Sequence, residues 1–235
     1  MKILAVETST DACSAALSIN GMITERFELT PKEHTKLILP MIDSLMAEAG
    51  LRPQQLDALA FSCGPGSFTG VRISTGVIQG IALGADLPVL PVSTLAAVAQ
   101  NYFDLSDSTH NIAFTAMDAR IGEIFWGVYQ KDESGLSQLI GEEAVTLASE
   151  IKFPELKGTG VGSGWGVYAN ELSTRLAGYV DSYAVGYNPR ASAIVRLGIR
   201  DYQKGLAVPV ELAMPVYLRN KVAQTEAERM LKNKV

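Results

Sequence analysis

Apolar and polar positions change period along this chain in a regular order. Apolar runs at Lys2–Thr8 and Cys13–Asn20 and a more polar one at Met22–Leu29 read as strands. They are separated by the turn Ser9-Thr10-Asp11 and by the hairpin signal Asn20-Gly21. The period then becomes helical. Thr30-Pro31 opens a helix with Glu33 in capping-box position, Gly50 ends it, and Pro40 is expected to kink it. Leu56–Ser62 reads as a fourth strand, the stretch from Gly70 to about Gly84 as a second long helix, and Pro88–Val92 as a fifth strand. Ser93 and Thr94 are placed to cap a third helix over Leu95–Tyr102.

The second half repeats this order. Asn111–Met117 and Glu123–Gln130 are expected strands around the turn Asp118-Ala119-Arg120, and Asp132–Gly135 is a hairpin into Leu136–Ile140. A helix near Leu147–Phe153, a glycine-rich strand and turn at Gly158–Gly166, and helices near Val167–Leu176 and Ala191–Lys204 follow. Three strands, helix, strand, helix, stated twice, predicts an α/β chain of two ribonuclease-H-like lobes. This is the duplicated architecture of actin, the sugar kinases and Hsp70 (the ASKHA superfamily). The lobes are expected at 1–105 and 106–235, joined in the polar stretch Asp104–Thr109, with the packing of 208–235 left open.

Composition narrows the chemistry. Of 235 residues, 47% are hydrophobic and 19% charged, which supplies a core and excludes global disorder. Twenty Lys and Arg against 25 Asp and Glu leave a net charge of −5, unsuited to a surface built mainly for phosphate backbones. The start, Met1-Lys2-Ile3-Leu4-Ala5-Val6-Glu7, is too short for a signal-peptide core, and no apolar run spans a membrane, so a soluble cytoplasmic protein is expected. Cys13, His34, Cys63 and His110 lie at least twenty positions apart, so no paired metal-ligand motif exists, and no disulfide framework either. No metal is expected.

Gly64-Pro65-Gly66-Ser67-Phe68-Thr69-Gly70 stands at a strand-to-helix junction. It is either a tight turn or a cradle of free amides for an anion; no Lys follows Gly70, so it is not a Walker loop. The alternating glycines of Gly158–Gly166 either admit a nucleotide or turn sharply at a strand end. No G-x-S-x-G elbow occurs. His34, near a helix start, reads as a surface or capping residue. Arg219, Lys221, Arg229, Lys232 and Lys234 make the tail basic against Glu226 and Glu228, either a solvated end or an RNA-touching one.

The two long helices carry more apolar surface than a surface helix needs. Leu37, Ile38, Met41, Ile42, Leu45, Met46 and Ala49 sweep about half the circumference at ~100° per residue, where a stripe of about 100° would suffice. Val71, Ile73, Val77, Ile78, Ile81, Ala82 and Ala85 make a second broad arc, beside Gly76, Gly80 and Gly84 at four-residue spacing. Glycines so stacked weaken a helix, and close packing against another backbone would explain them. Either both helices are buried within the lobe or their spare faces form an interface.

Val6-Glu7-Thr8-Ser9-Thr10, Cys63–Arg72, Pro91–Leu95, Asp118–Glu123 and Pro215–Asn220 resemble the bacterial TsaB (YeaZ) family. The resemblance implies a non-catalytic partner of TsaD in making N6-threonylcarbamoyladenosine (t6A) at position 37 of tRNA. TsaD transfers the acyl group, and TsaE is an ATPase that resets the complex. It implies heterodimerisation with TsaD, a homodimer where TsaD is absent, and tRNA met only through the complex. The metal pair of TsaD falls near Thr94 and Val98, which cannot ligate. Glu7, where nucleotide-hydrolysing relatives place Asp, argues against ATP turnover by this chain.

The leading expectation is therefore a scaffold. Its partner face is Leu37, Ile38, Met41, Ile42, Leu45, Met46, Val71, Ile73, Gly76, Val77, Gly80, Ile81 and Gly84. A vestigial or shared nucleotide site is expected at Glu7, Thr8, Ser9, Gly64, Gly66 and Ser67, with no cofactor held by this chain alone and ATP or ADP shared only within the complex. The alternative is a free-standing nucleotide-dependent phosphotransferase using the glycine-rich segments with Glu7. A peptidase acting on TsaD lacks both a ligand cluster and a nucleophile elbow.

Overall fold

The computed structural model describes residues 1–107 and 110–219. Strands β1 (Lys2–Glu7), β2 (Ala12–Ile19) and β3 (Met22–Leu29) form an antiparallel meander, and β4 (Ala58–Gly64) and β5 (Val89–Ser93) add in parallel, giving the order β3-β2-β1-β4-β5. The β2–β3 hairpin turns on Asn20 and Gly21, both at positive φ, as a two-residue loop between right-twisted strands requires.

The second sheet is built from β6 (Ile112–Asp118), β7 (Glu123–Lys131), β8 (Ser137–Leu147), β9 (Gly158–Val161) and β10 (Val180–Ala184). Read as β8-β7-β6-β9-β10, its order and strand directions repeat those of the first. The chain is thus two ribonuclease-H-like lobes of the actin/sugar-kinase/Hsp70 type.

Helices α1 (His34–Glu48) and α2 (Phe68–Ala85) cover one face of the first sheet, where Ile38, Leu45 and Ile78 pack on Leu4, Leu59 and Phe61. Each such buried side chain contributes roughly 1.5–3 kcal/mol of apolar burial. The opposite face is covered by α6 (Ala191–Gln203), which comes from the second half of the sequence. Ile194 and Leu197 settle on a floor of Ala5, Ala16 and Ala60, small enough for close approach. Conversely α3 (Thr94–Leu105) follows the first sheet in sequence yet packs on the second, with Val98 and Tyr102 against Met117, Phe125 and Val161. Short helices α4 (Gly164–Val167) and α5 (Ala169–Arg175) close the far side around Trp165.

Several local expectations change. In place of a helix over Leu147–Phe153, β8 continues to Leu147, paired to Glu123, and only the 3-10 turn Ala148–Glu150 follows. The backbone is already committed to the ladder, and Pro154 disfavours helix at Phe153. The capping box at Thr30 does not form. Lys32 takes a positive φ, the helix starts at His34, and Glu33 pairs with Lys36 instead. Helix α1 runs through Pro40, which is exposed.

Beyond α6 the chain becomes a strap across both lobes. Val208 bridges Val89, and Gln79 Nε2 donates to the buried Ala213 carbonyl at 2.8 Å. The Val216 amide donates to the Cys63 carbonyl at 2.7 Å. Arg219 reaches the second lobe, donating to the Ala119 carbonyl at 2.9 Å and pairing with Glu123. The basic tail after Arg219 lies outside the described residues.

Candidate functional site

The expected partner face divides when its residues are placed. Ile38, Met41, Ile42, Leu45, Met46 and Val71 are buried in the lobe's own core and are not available to a partner. The broad apolar arc of α1 exists because that helix meets the sheet on one side and α2 on the other. Leu37, Ile73, Val77 and Ile81 are half-buried. Gly76, Gly80 and Gly84 face open space, with nothing of this chain within 4 Å of where a Cβ would stand. Within the described residues no backbone returns to fill that stripe. The outcome is a groove with a glycine floor on α2, bounded by α1 on one side and by the strap at Ala213 and Met214 on the other.

The Gly64–Gly70 segment is shaped by its own neighbours. A Cβ on Gly70 would stand 2.1 Å from the Thr8 carbonyl oxygen, one on Gly66 2.5 Å from that of Ser9, and one on Gly64 2.5 Å from that of Val216. The Ser67 amide donates to the Ser9 carbonyl (2.7 Å), the Gly70 amide to the Ser67 hydroxyl (3.3 Å), and the Thr8 hydroxyl to the Gly70 carbonyl (2.7 Å). Glycine is required here so that two backbones can touch. The loop delivers α2 with Ser67 as its N-cap.

Glu7 lies at the closed end of this contact and is fully buried. Its Oε1 accepts from the Ser9 amide and hydroxyl, both at 2.5 Å, and the buried Ser62 hydroxyl also faces the carboxylate and favours its charged form. Burial raises the Glu7 carboxyl above its ordinary value, against the opposing pull of the Ser9 hydroxyl. Thr8 and Ser9 are sealed with it. Of the residues expected at a nucleotide site, Glu7, Thr8, Ser9 and Gly64 are thus buried, Gly66 is half-buried and Ser67 is exposed.

The positions that the resemblance aligns with a metal pair are also internal. Thr94 donates to the Ser9 hydroxyl at 3.1 Å, and Val98 packs in the α3 core. Among the described residues no group of three or more His, Cys, Asp or Glu is placed to hold a metal ion. His34 is buried, with Nε2 at 3.2 Å from the Ala12 carbonyl, rather than a surface residue. Burial pushes the Cys13 and Cys63 thiols up to about 12, far from a thiolate nucleophile. The Gly158–Gly166 stretch makes room for aromatic packing: a Cβ on Gly160 would overlap the Trp165 ring at 2.3 Å. Among the described residues no helix is long and apolar enough to cross a membrane.

Two features escaped the sequence pattern. One is a hydrogen-bonded group joining the lobes, in which Glu143 accepts from the Ser93 and Tyr129 hydroxyls, with burial raising both Glu143 and Tyr129. The other is an exposed stack of Phe68, Arg72 and Tyr217 at the start of α2. The Gly-to-Arg block singled out the first two residues of that stack, but nothing in the pattern joined them to Tyr217.

Comparison with known proteins agrees with this geometry. The profile of the family described as TsaD, tRNA N6-adenosine threonylcarbamoyltransferase, matches residues 26–174. The tRNA threonylcarbamoyladenosine biosynthesis protein TsaB of Escherichia coli K12 is 42% identical over 228 residues, covering 95% of this chain and 96% of that protein. TsaB of Haemophilus influenzae is 38% identical, over 94% of this chain and 95% of that protein. The structure of YeaZ from Pseudomonas aeruginosa superposes with a TM-score of 0.84 at 37% identity, covering 92% of this chain and 99% of that one. With the lobe topology and the Gly64–Arg72 block in their expected places, the chain belongs to the TsaB (YeaZ) family.

Proposed function

We propose that this chain is a non-catalytic subunit in t6A synthesis that docks a TsaD-type transferase through the α2 groove. The observation that carries the reading is the open glycine floor of Gly76, Gly80 and Gly84 beside half-buried Ile73, Val77 and Ile81. Small residues at four-residue spacing let a partner helix approach at backbone distance, near the lower end of the usual interaxial range of about 8–10 Å. A helix that keeps three solvent-facing glycines without internal return gives up helix stability at each, which is consistent with a role realised only in a complex.

The interior chemistry supports the non-catalytic part. Glu7, Thr8 and Ser9 are closed to substrate, Thr94 and Val98 cannot ligate, and both thiols are held protonated by burial. These same facts weigh against a phosphotransferase. The ATP or ADP expected to be shared in the complex would meet this chain only at the exposed rim Ser67–Thr69. TsaE and tRNA join through the complex in this reading, and the α2 groove of a second copy is the substitute partner when the transferase is absent.

The test is mass in solution. Light scattering on the full chain, on the purified TsaD-type transferase and on their mixture should give a heterodimer that Gly80→Leu abolishes while the folded variant remains. An equimolar mixture that stays apart would refute the reading.

A further inference from the structure

At the N-terminal end of α2 the groove opens onto a stack of three side chains. The Arg72 guanidinium lies 3.4 Å from the Phe68 ring centre and 5.6 Å from that of Tyr217, and the two rings are 5.8 Å apart. Both rings are exposed, at 56% and 42%, as are Met214 and Val216 on the adjoining strap. Arg72 is the sole charged side chain of α2. Among the described residues it has neither a carboxylate nor any hydrogen-bond acceptor.

A guanidinium laid on an aromatic face has lost part of its rotamer freedom before any partner arrives, and its planar edge still carries its donors. Exposed aromatic rings around an arginine with no carboxylate partner among the described residues have the composition of an interface hot spot, where the rings exclude water and the fork pairs with a carboxylate. Among the described residues the exposed neighbours, Met214 and Val216, are apolar and the whole chain carries a net charge of −5, so a protein segment suits the stack better than RNA does.

We propose that the Phe68–Arg72–Tyr217 stack is a specificity anchor that seats a carboxylate of the partner helix lying in the α2 groove, with Met214 and Val216 covering the contact. This inference rests on the docking reading and assigns the chemistry that the partner must present at one end of that helix.

The experiment measures the Kd of the full chain for the purified TsaD-type transferase at low and high salt, with Arg72→Ala, Arg72→Lys and Gly80→Leu. Arg72→Ala should raise Kd about 10- to 100-fold and remove most of the salt dependence, as loss of a paired interface arginine does. Arg72→Lys, which keeps the charge without the planar fork, should fall between. Circular dichroism should be unchanged in both, because the side chain is exposed. If Gly80→Leu abolishes binding while Arg72→Ala keeps the wild-type Kd and salt slope, the anchor is wrong and the docking reading stands. If Gly80→Leu binds normally, both fall. If Arg72→Ala alters only the salt slope of tRNA binding by the assembled complex, the stack is an RNA contact and the proposal is overturned.

Discussion

Replacing Gly76 and Gly80 together by alanine should stabilise the free chain while weakening its complex. Both glycines lie inside the 18-residue α2, and neither new Cβ has an atom of this chain within 4 Å. Each Gly→Ala change in a helix interior is worth about 0.8–1.0 kcal/mol, so the pair should add roughly 1.6–2 kcal/mol. For a domain of this size about 1 kcal/mol moves the melting temperature by about 2–4 °C, giving an expected rise of roughly 3–8 °C. In the proposed complex the same two methyl groups would rise from the groove floor toward the partner's backbone. Calorimetric melting of dilute protein reads the first effect, and titration with the TsaD-type transferase reads the second, where Kd should increase at least about tenfold as close packing is lost. Dilution keeps self-association from masking the gain. A melting temperature that falls, or an affinity that survives both substitutions, would refute the claim that this stripe is open in the free chain and covered in the complex.

Three further outcomes follow from the same geometry. Leu45 is 1% exposed and Ile81 half-buried on the groove side, so Leu45→Glu should abolish cooperative unfolding in urea, whereas Ile81→Glu should fold and fail to co-purify with the transferase. Gly70→Ala places a methyl 2.1 Å from the Thr8 carbonyl and should lower stability by about 2–4 kcal/mol, seen as a shifted urea midpoint with α2 still helical. Burial raises Glu7 in the folded chain, so its stabilising contribution is complete below the unfolded value of about 4.3 and is lost as pH rises through the raised one. Glu7→Gln should therefore gain on the wild type as urea midpoints are followed from about pH 4 to about pH 8, and a pH-independent difference would contradict the buried-carboxyl account.

Much of the fold was legible because local chemistry and global packing agree. Asn20-Gly21 marks the hairpin, Ser93 caps α3 through bonds to the Leu95 and Ala96 amides, and the order of strands in the sheet recurs in both halves. Strand β10 was not legible, since Val180–Ala184 is a five-residue edge strand with a polar pattern that borrows its definition from β9. The exchange of α3 and α6 between the sheets was hidden for a related reason: an apolar stripe tells that a helix is covered, not which sheet covers it. The same limit acted on the partner face. A helical wheel places Leu45 and Leu37 on one arc, but only the tertiary structure separates the fully buried residue from the half-buried one. The glycine spacing along α2 predicts close packing against another backbone, and among the described residues no backbone packs there.

The most direct test of the central claim is reconstitution of tRNA threonylcarbamoylation with purified components. The account predicts that this chain alone transfers nothing to tRNA, that the TsaD-type transferase gains activity when the chain is added, and that the folded Gly80→Leu variant gives no such gain. Modification by this chain unaided, or a transferase equally active without it, would contradict the account.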